Sequence, residues 1–258
     1  ITVKETLGQP ELWRKVFGEY AERKPEIDAF LAKLIEKHGF IRVIFTGAGS
    51  SQYVGDTVLK SLIELGDTEH FRFESIGTTD IVAAPQATLE QNTPTLLVSF
   101  ARSGNSPESV AAVNIVEELI QDSYQLVITC AKEGKLAQQT LTMENALTCI
   151  LPDESNDKGF AMTGSCSSMT LLSTLIFSTE ELSDKEKQVS IAADLAADVF
   201  QRETEIVSFL NDDTDRMVYV GSSTLSGFVR EAQLKVLELT AGKIATMFDS
   251  SMGFRHGP

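Results

Sequence analysis

Short β-rich runs alternating with helix-patterned stretches predict an α/β protein with a doubly wound parallel sheet, because each parallel strand needs a crossover to return the chain. Two further observations support this. Ser/Gly-rich turns directly follow two of the β runs, and a strand–turn–helix unit near the start of the chain recurs near residue 214.

Taken in order, residues 10–37 carry Leu12, Val16, Tyr20, Ile27, Leu31, Leu34 and Ile35 at helical spacing, interrupted at Pro25. The spacing predicts two amphipathic helices before the first strand. Ile41–Thr46 is the first β run, residues 52–65 are helix-patterned, and Phe71–Ile76, Thr95–Phe100, Gln125–Cys130 and Ala146–Leu151 follow as further β runs. Pro152–Gly159 is polar. Helical patterns then run from Met162 to about Glu181 and from Asp184 to about Leu210, and Asn211–Asp215 reads as a turn or linker.

An internal repeat suggests a second domain beyond that turn. Arg42–Gly55 (RVIFTGAGSSQYVG) and Thr214–Gly227 (TDRMVYVGSSTLSG) align without gaps, with Gly49, Ser50, Ser51 and Gly55 opposite Gly221, Ser222, Ser223 and Gly227. The expected organisation is N-terminal helices over 1–39, a first ligand-binding domain over 40–182, a connecting helix over 183–210, and the beginning of a tandem second domain over 211–258 that lacks its C-terminal part.

The chain has 258 residues, 42% of them apolar, and a formal net charge of -15. A globular core is feasible, and nucleic acid is excluded as a partner because a phosphate backbone is held chiefly by Lys and Arg. A small anion remains allowed, since loop amides and helix dipoles act locally. The longest apolar run, Met169–Phe177, is too short and too interrupted for a membrane span. Cys130, Cys149 and Cys166 are odd in number and lack metal-ligand spacing, so free thiols and a cytoplasmic location are expected, with no metal and no cofactor.

The chemistry concentrates in three places. In Thr95–Val110 a strand runs into Arg102, Ser103, Gly104, Asn105 and Ser106, with Ser106 at a helix N-cap, Pro107 at the first helical position and Glu108 in the first turn. That is an anion site at a helix N-terminus, on the sheet edge where ligands of parallel sheets bind. Gly47–Ser51 makes a second turn of this kind; it lacks a third glycine, which disfavours dinucleotides. In the helix from Ser226 to about Ala241, Glu231, Lys235 and Glu238 fall at i, i+4 and i+7, within an arc of about 60°. The rest of that helix is apolar around much of its circumference, so it should be largely buried, with the charged stripe facing solvent, another charge or a cleft. His256 lies in a terminal Arg-His-Gly-Pro and suits proton transfer near neutral pH. His38 and His70 read as structural.

Together, GAGSS, SFARSGNSPES, REAQLKVLEL and RHGP resemble the sugar isomerase (SIS) domain family, over residues from about 40 to 258. The closest likeness is to its AgaS-type branch of tagatose-6-phosphate ketose/aldose isomerases and galactosamine-6-phosphate deaminases. The resemblance implies a flavodoxin-like SIS fold and an aldose/ketose isomerase or deaminase acting on a hexose or hexosamine 6-phosphate through an enediol(amine). It places Ser103 and Ser106, with Arg102 and Asn105, on the phosphate and Ser50 and Ser51 beside it. Thr163 is a further sugar contact, although Met162 and Gly164 depart from the family pattern. Glu238 would be the carbon base, Lys235 its electrostatic partner and His256 the ring-opening group. The related glucosamine-6-phosphate synthase also uses a lysine near its C-terminus, which has no counterpart before Pro258. The family implies a homodimer or higher oligomer whose histidine loop reaches a neighbouring subunit, and the N-terminal helices offer an apolar face for a partner. The alternative is a non-catalytic phosphosugar-binding regulator, which would need the phosphate loop but neither Glu238 nor His256.

Overall fold

A computed structural model describes residues 1–210 and 213–257. Residues 211 and 212 of the expected linker, and Pro258 of the terminal motif, lie outside the described residues. Helices α1 (Thr2–Leu7) and α2 (Gln9–His38) precede β1 (Ile41–Thr46), α3 (Ser50–Leu65), β2 (Phe71–Ser75), α4 (Thr78–Ala83), α5 (Pro85–Thr88) and β3 (Thr95–Ala101). Next come α6 (Pro107–Leu119), β4 (Ser123–Thr129), α7 (Lys135–Thr140), β5 (Ala146–Ile150), α8 (Gly164–Phe177), α9 (Leu182–Gln201) and α10 (Glu203–Ser208). The last elements are β6 (Arg216–Val220), α11 (Ser226–Leu239) and β7 (Ala245–Asp249).

The first five strands form one parallel sheet in the order β2-β1-β3-β4-β5. Both of its faces are covered, as a parallel sheet requires. Ile41, Val43 and Phe45 of β1 face one cluster, closed by Leu12, Tyr20 and Leu34 of α2 and by Met169 and Phe177 of α8, while Ile44 and Leu97 face a second, closed by Ile81, Val113 and Leu136. Phe45 sits at the centre of the first, stacked on Phe73 and Phe100 with Phe177 edge-on. The sequential order reverses between β1 and β3. In an open α/β sheet, a ligand binds in the crevice at that switch point.

Where two N-terminal helices were expected, α2 runs unbroken through Pro25. A mid-helix proline forfeits one backbone bond, here to Ala21, and crowds the turn before it. The helix continues because Leu12, Val16 and Tyr20 ahead of the proline, and Ile27, Leu31 and Leu34 after it, are all buried in one core. That burial also means the apolar face of α2 is already occupied within the chain.

The segment from β6 to β7 departs from expectation too. Strands β6 and β7 pair in parallel as a separate two-stranded sheet, with α11 against them. Of α11 only Gly227 is buried, and Phe228, Leu237 and Leu239 are exposed rather than covered. Two strands give a crossover helix only part of the supporting layer that five give α3. In the repeated unit, a 3-10 turn over Ser223–Leu225 delays the helix until Ser226, whereas α3 starts at Ser50 directly after Gly49.

Pro25 is exposed, so replacing it leaves no cavity. Pro25→Ala should stabilise the fold by about 2 kcal/mol, the helix gain of about 3 kcal/mol less the added freedom of the unfolded chain. Urea unfolding of the two proteins measures this.

Candidate functional site

The β1 and β3 turns leave neighbouring strands, since Thr46 at the end of β1 is the register partner of Ser99, two residues before the end of β3. After β3, Gly104 turns at φ 64 and its carbonyl accepts from Leu136 N at 3.0 Å, while Asn105 Oδ1 accepts from Lys135 N at 3.1 Å. Gly134 backs this loop so closely that a Cβ there would overlap the Ser103 carbonyl. The loop is therefore held from behind, and Ser103, Asn105 and Ser106 are exposed in front.

Ser106 occupies the N-cap of α6, with Pro107 following, yet its hydroxyl makes no cap hydrogen bond. The N-terminus of α6 thus keeps its positive end and a free hydroxyl pointed to solvent. Arg102 is half-buried and its Nη1 donates to the Gly159 carbonyl at 3.4 Å.

The N-terminus of α8 is arranged differently. Asp157, 5% exposed, accepts from Thr163 N (2.9 Å), Thr163 Oγ1 (2.8 Å), Gly164 N (3.0 Å), Ser165 N (2.9 Å) and Ser165 Oγ (2.5 Å). That helix end already carries an anion from its own chain, and the Thr163 hydroxyl donates to it. Nothing in the sequence reading singled out Asp157; an acid a few residues ahead of a Thr-Gly-Ser helix start was the available signal.

At the β1 turn, Ser50 and Ser51 are buried in the first turn of α3. Lys235 of α11 reaches this turn and donates to Ser50 Oγ at 2.9 Å and to Glu238 Oε2 at 2.7 Å, and its Nζ lies 3.1 Å from Glu231 Oε1. The charged stripe therefore faces the first Gly-Ser-Ser turn. The three side chains are 15% (Glu231), 17% (Lys235) and 24% (Glu238) exposed, so Glu238 is the most open of them. Burial pushes the Glu231 carboxyl up, with Lys235 opposing. Burial also raises the Cys166 thiol of α8 well above its ordinary value, and the nearby Glu231 charge adds to this.

His256 stands in an exposed 3-10 turn over Phe254–His256. Among the described residues no hydrogen bond or ion pair joins it to Lys235 or Glu238. The other histidines are structural: His38 Nε2 lies 2.8 Å from Tyr124 Oη, and His70 Nδ1 lies 2.7 Å from Asp67. Among the described residues no group of three or more His, Cys, Asp or Glu side chains is placed to hold a metal, and no helix is long and apolar enough to cross a membrane. The three cysteines are free thiols.

A five-stranded 2-1-3-4-5 parallel sheet, with an uncapped helix N-terminus after β3 and a partly buried Glu–Lys–Glu cluster at the β1 turn, defines a flavodoxin-like α/β protein. The SIS domain family matches residues 34–179, and the chain belongs to that family. It is 39% identical over its whole length to the D-galactosamine-6-phosphate deaminase AgaS of Shewanella sp. (strain ANA-3), covering 65% of that protein, and 37% identical to the Escherichia coli protein of the same name, covering 66%. The chain thus spans a little under two thirds of the curated relatives it matches. Tagatose-6-phosphate ketose/aldose isomerase from Escherichia coli superposes with a TM-score of 0.92 at 36% identity, over 99% of this chain and 68% of that one. Glucosamine-6-phosphate deaminase from Thermotoga maritima shares the fold, with a TM-score of 0.74 at 21% identity, over 100% of this chain and 72% of that one.

The raised Glu231 carboxyl has a thermodynamic consequence. Above its ordinary value of 4.5 the folded state holds this proton better than the unfolded chain does, so Glu231's contribution to stability falls as pH rises through the raised value. Glu231→Gln removes that slope. Its unfolding free energy should gain on wild type as pH rises above the ordinary carboxylate value of 4.5, as read from urea unfolding at each pH.

Proposed function

We propose that the full-length protein is an aldose/ketose isomerase or deaminase acting on a hexose or hexosamine 6-phosphate of the galactosamine or tagatose type. One observation carries this reading: Lys235 bridges Ser50 of the first turn and Glu238, beside an α6 N-terminus left free for an anion. A regulator that only binds a phosphosugar has no use for a partly buried Glu–Lys–Glu cluster at that turn. The names of the relatives agree with this chemistry.

In this reading the 6-phosphate sits at the start of α6, held by the hydroxyls of Ser103 and Ser106 and by backbone N–H groups, with Asn105 shaping the loop. The α8 N-terminus is already neutralised by Asp157, which favours α6. Arg102 adds positive charge behind the loop. Ser50 and Ser51 bound the sugar, while Thr163 serves the sugar through the shape of its loop, its hydroxyl being committed to Asp157.

His256 moves the ring proton that opens the pyranose. Its exposure, away from Lys235, suits delivery to a neighbouring subunit's site. Glu238 then takes the C2 proton of the open chain and returns it to C1, one carboxylate serving both carbons. Lys235 stabilises the enediol(ate) oxygen, and Glu231 holds Lys235 from the other side. With an amino group at C2 the same shift gives an imine; water adds to its carbon and ammonia leaves.

We also propose that residues 211–258 begin a second domain of the same kind as 40–182, joined through 183–210 and arisen by duplication, with 1–39 as N-terminal helices. The setting is cytoplasmic. The protein is a homodimer or higher, although the surface available is not the one the sequence suggested. The face of α2 is buried, and the exposed apolar side chains include Val3 and Leu7 of α1, Leu195 and Val199 of α9, and Ile206 and Val207 of α10. Light scattering on the full-length chain at micromolar concentration should show at least a dimer; a clean monomer refutes it.

The reaction is tested by assaying ammonia and ketose formation together across a panel of hexose and hexosamine 6-phosphates. Glu238→Gln should lower kcat by about 10² to 10⁴ and leave affinity within a few-fold. Ser103→Ala should do the reverse, weakening 6-phosphate binding by about 1–3 kcal/mol. Saturable phosphosugar binding with no turnover of any panel member would favour the regulator.

A further inference from the structure

Helix α11 carries Glu231, Lys235 and Glu238, but it lies outside the five-stranded sheet, so its placement depends on how it docks on α3. Three contacts fix that docking. Gly227 meets Thr57 so closely that a Cβ would overlap the Thr57 backbone and hydroxyl. Arg230 Nη1 pairs with Asp56 Oδ2, and Lys235 reaches Ser50. As the numbers rise along α11 they fall along α3, so the two helices run antiparallel.

Arg230 is the most connected side chain of this contact. Its guanidinium lies 4.6 Å from the Tyr53 ring centroid on α3 and 5.2 Å from that of Phe248 on β7. Asp56 in turn accepts from Ser75 Oγ, at the end of β2, at 2.7 Å. The pair thus ties α11 and β7 to α3 and, through Ser75, to the main sheet. At 17% and 34% side-chain exposure, Asp56 and Arg230 are partly desolvated, where a paired charge has few alternative partners.

We propose that Asp56 and Arg230 are positioning residues for the reaction. They lock the register of α11 on α3 and so set the distance of Lys235 and Glu238 from the Ser50 turn. Sliding α11 by one helical turn would carry Lys235 about 5.4 Å away, and a displacement of about 1 Å at a reacting group can cost about 10²-fold in rate. The inference rests on Lys235 and Glu238 being the reacting groups.

The test uses full-length protein and four variants: Asp56→Asn, Arg230→Gln, the double variant and Arg230→Lys. Turnover is measured on galactosamine 6-phosphate and tagatose 6-phosphate, and affinity is measured separately with inorganic phosphate. Each single variant is expected to lower kcat by about 10- to 100-fold, with KM and the phosphate Kd within about threefold, because among the described residues no hydrogen bond or ion pair joins the Ser103–Ser106 loop to α11. The double variant should be no worse than the poorer single, since both remove one contact. Arg230→Lys should recover part of the loss, keeping the charge but not the stacking. Should Arg230→Gln fail to fold, Asp56→Asn and Arg230→Lys carry the same comparison. Normal kcat in Asp56→Asn and Arg230→Lys overturns the proposal, as does a parallel loss of phosphate affinity, which would mark general loosening. Glu238→Gln keeps the two readings apart: normal turnover there removes the base, whereas loss there with normal turnover in the Asp56 and Arg230 variants removes the register lock alone.

Discussion

A parallel sheet leaves every strand's carboxyl end on one edge, and its connections must cross back over a face to begin the next strand. In this chain that constraint gathers the turns after β1 and β3 beside each other at the point where strand order reverses. Phe45 and its aromatic neighbours hold the two central strands, and Leu136 and Lys135 pin the β3 turn from behind. The site is the edge of a rigid layer, so its turns can stay exposed without losing their shape.

The electrostatics of that edge are local. A chain with net charge -15 repels an anion at long range, yet beyond about 8 Å such repulsion is screened at physiological salt, and an open helix N-terminus acts within its first turn. The contrast between α6 and α8 shows how one fold treats two similar helix ends. Five donors at the start of α8 are consumed by the buried Asp157, whereas the α6 cap hydroxyl is left unspent. A carboxylate supplied by the chain satisfies the first end from within; the second has no side-chain cap of its own.

The sequence revealed the periodic features and missed those that depend on distant partners. Strand β1 falls on the expected residues and the other four main-sheet strands lie within two residues of theirs, because strands of a covered parallel sheet are rich in apolar residues. Pro25 misled the reading of α2, since local propensity was outweighed by the packing of Tyr20, Ile27 and Leu34. The stripe of Glu231, Lys235 and Glu238 was visible from spacing alone, but its partner Ser50 lies 185 positions away, and no periodicity reports a contact of that range. The expected burial of α11 failed for a related reason: an apolar circumference says that a helix can be covered, not what covers it. Asp157 lay in a stretch read only as polar, and its role exists only once Thr163, Gly164 and Ser165 turn their donors toward it.

These placements separate two physical tasks. The features suited to holding an anion, Ser103, Asn105 and Ser106, stand on loops of the five-stranded layer, where buried strands on both sides fix them. The charged stripe stands on a helix with a two-stranded sheet behind it, joined to that layer along α3. The polar links across that contact run through few side chains, Arg230 to Asp56 and Lys235 to Ser50, so its register is sensitive to each of them. The bond of Lys235 to Ser50 is therefore a property of the docked pair of helices and of neither helix alone.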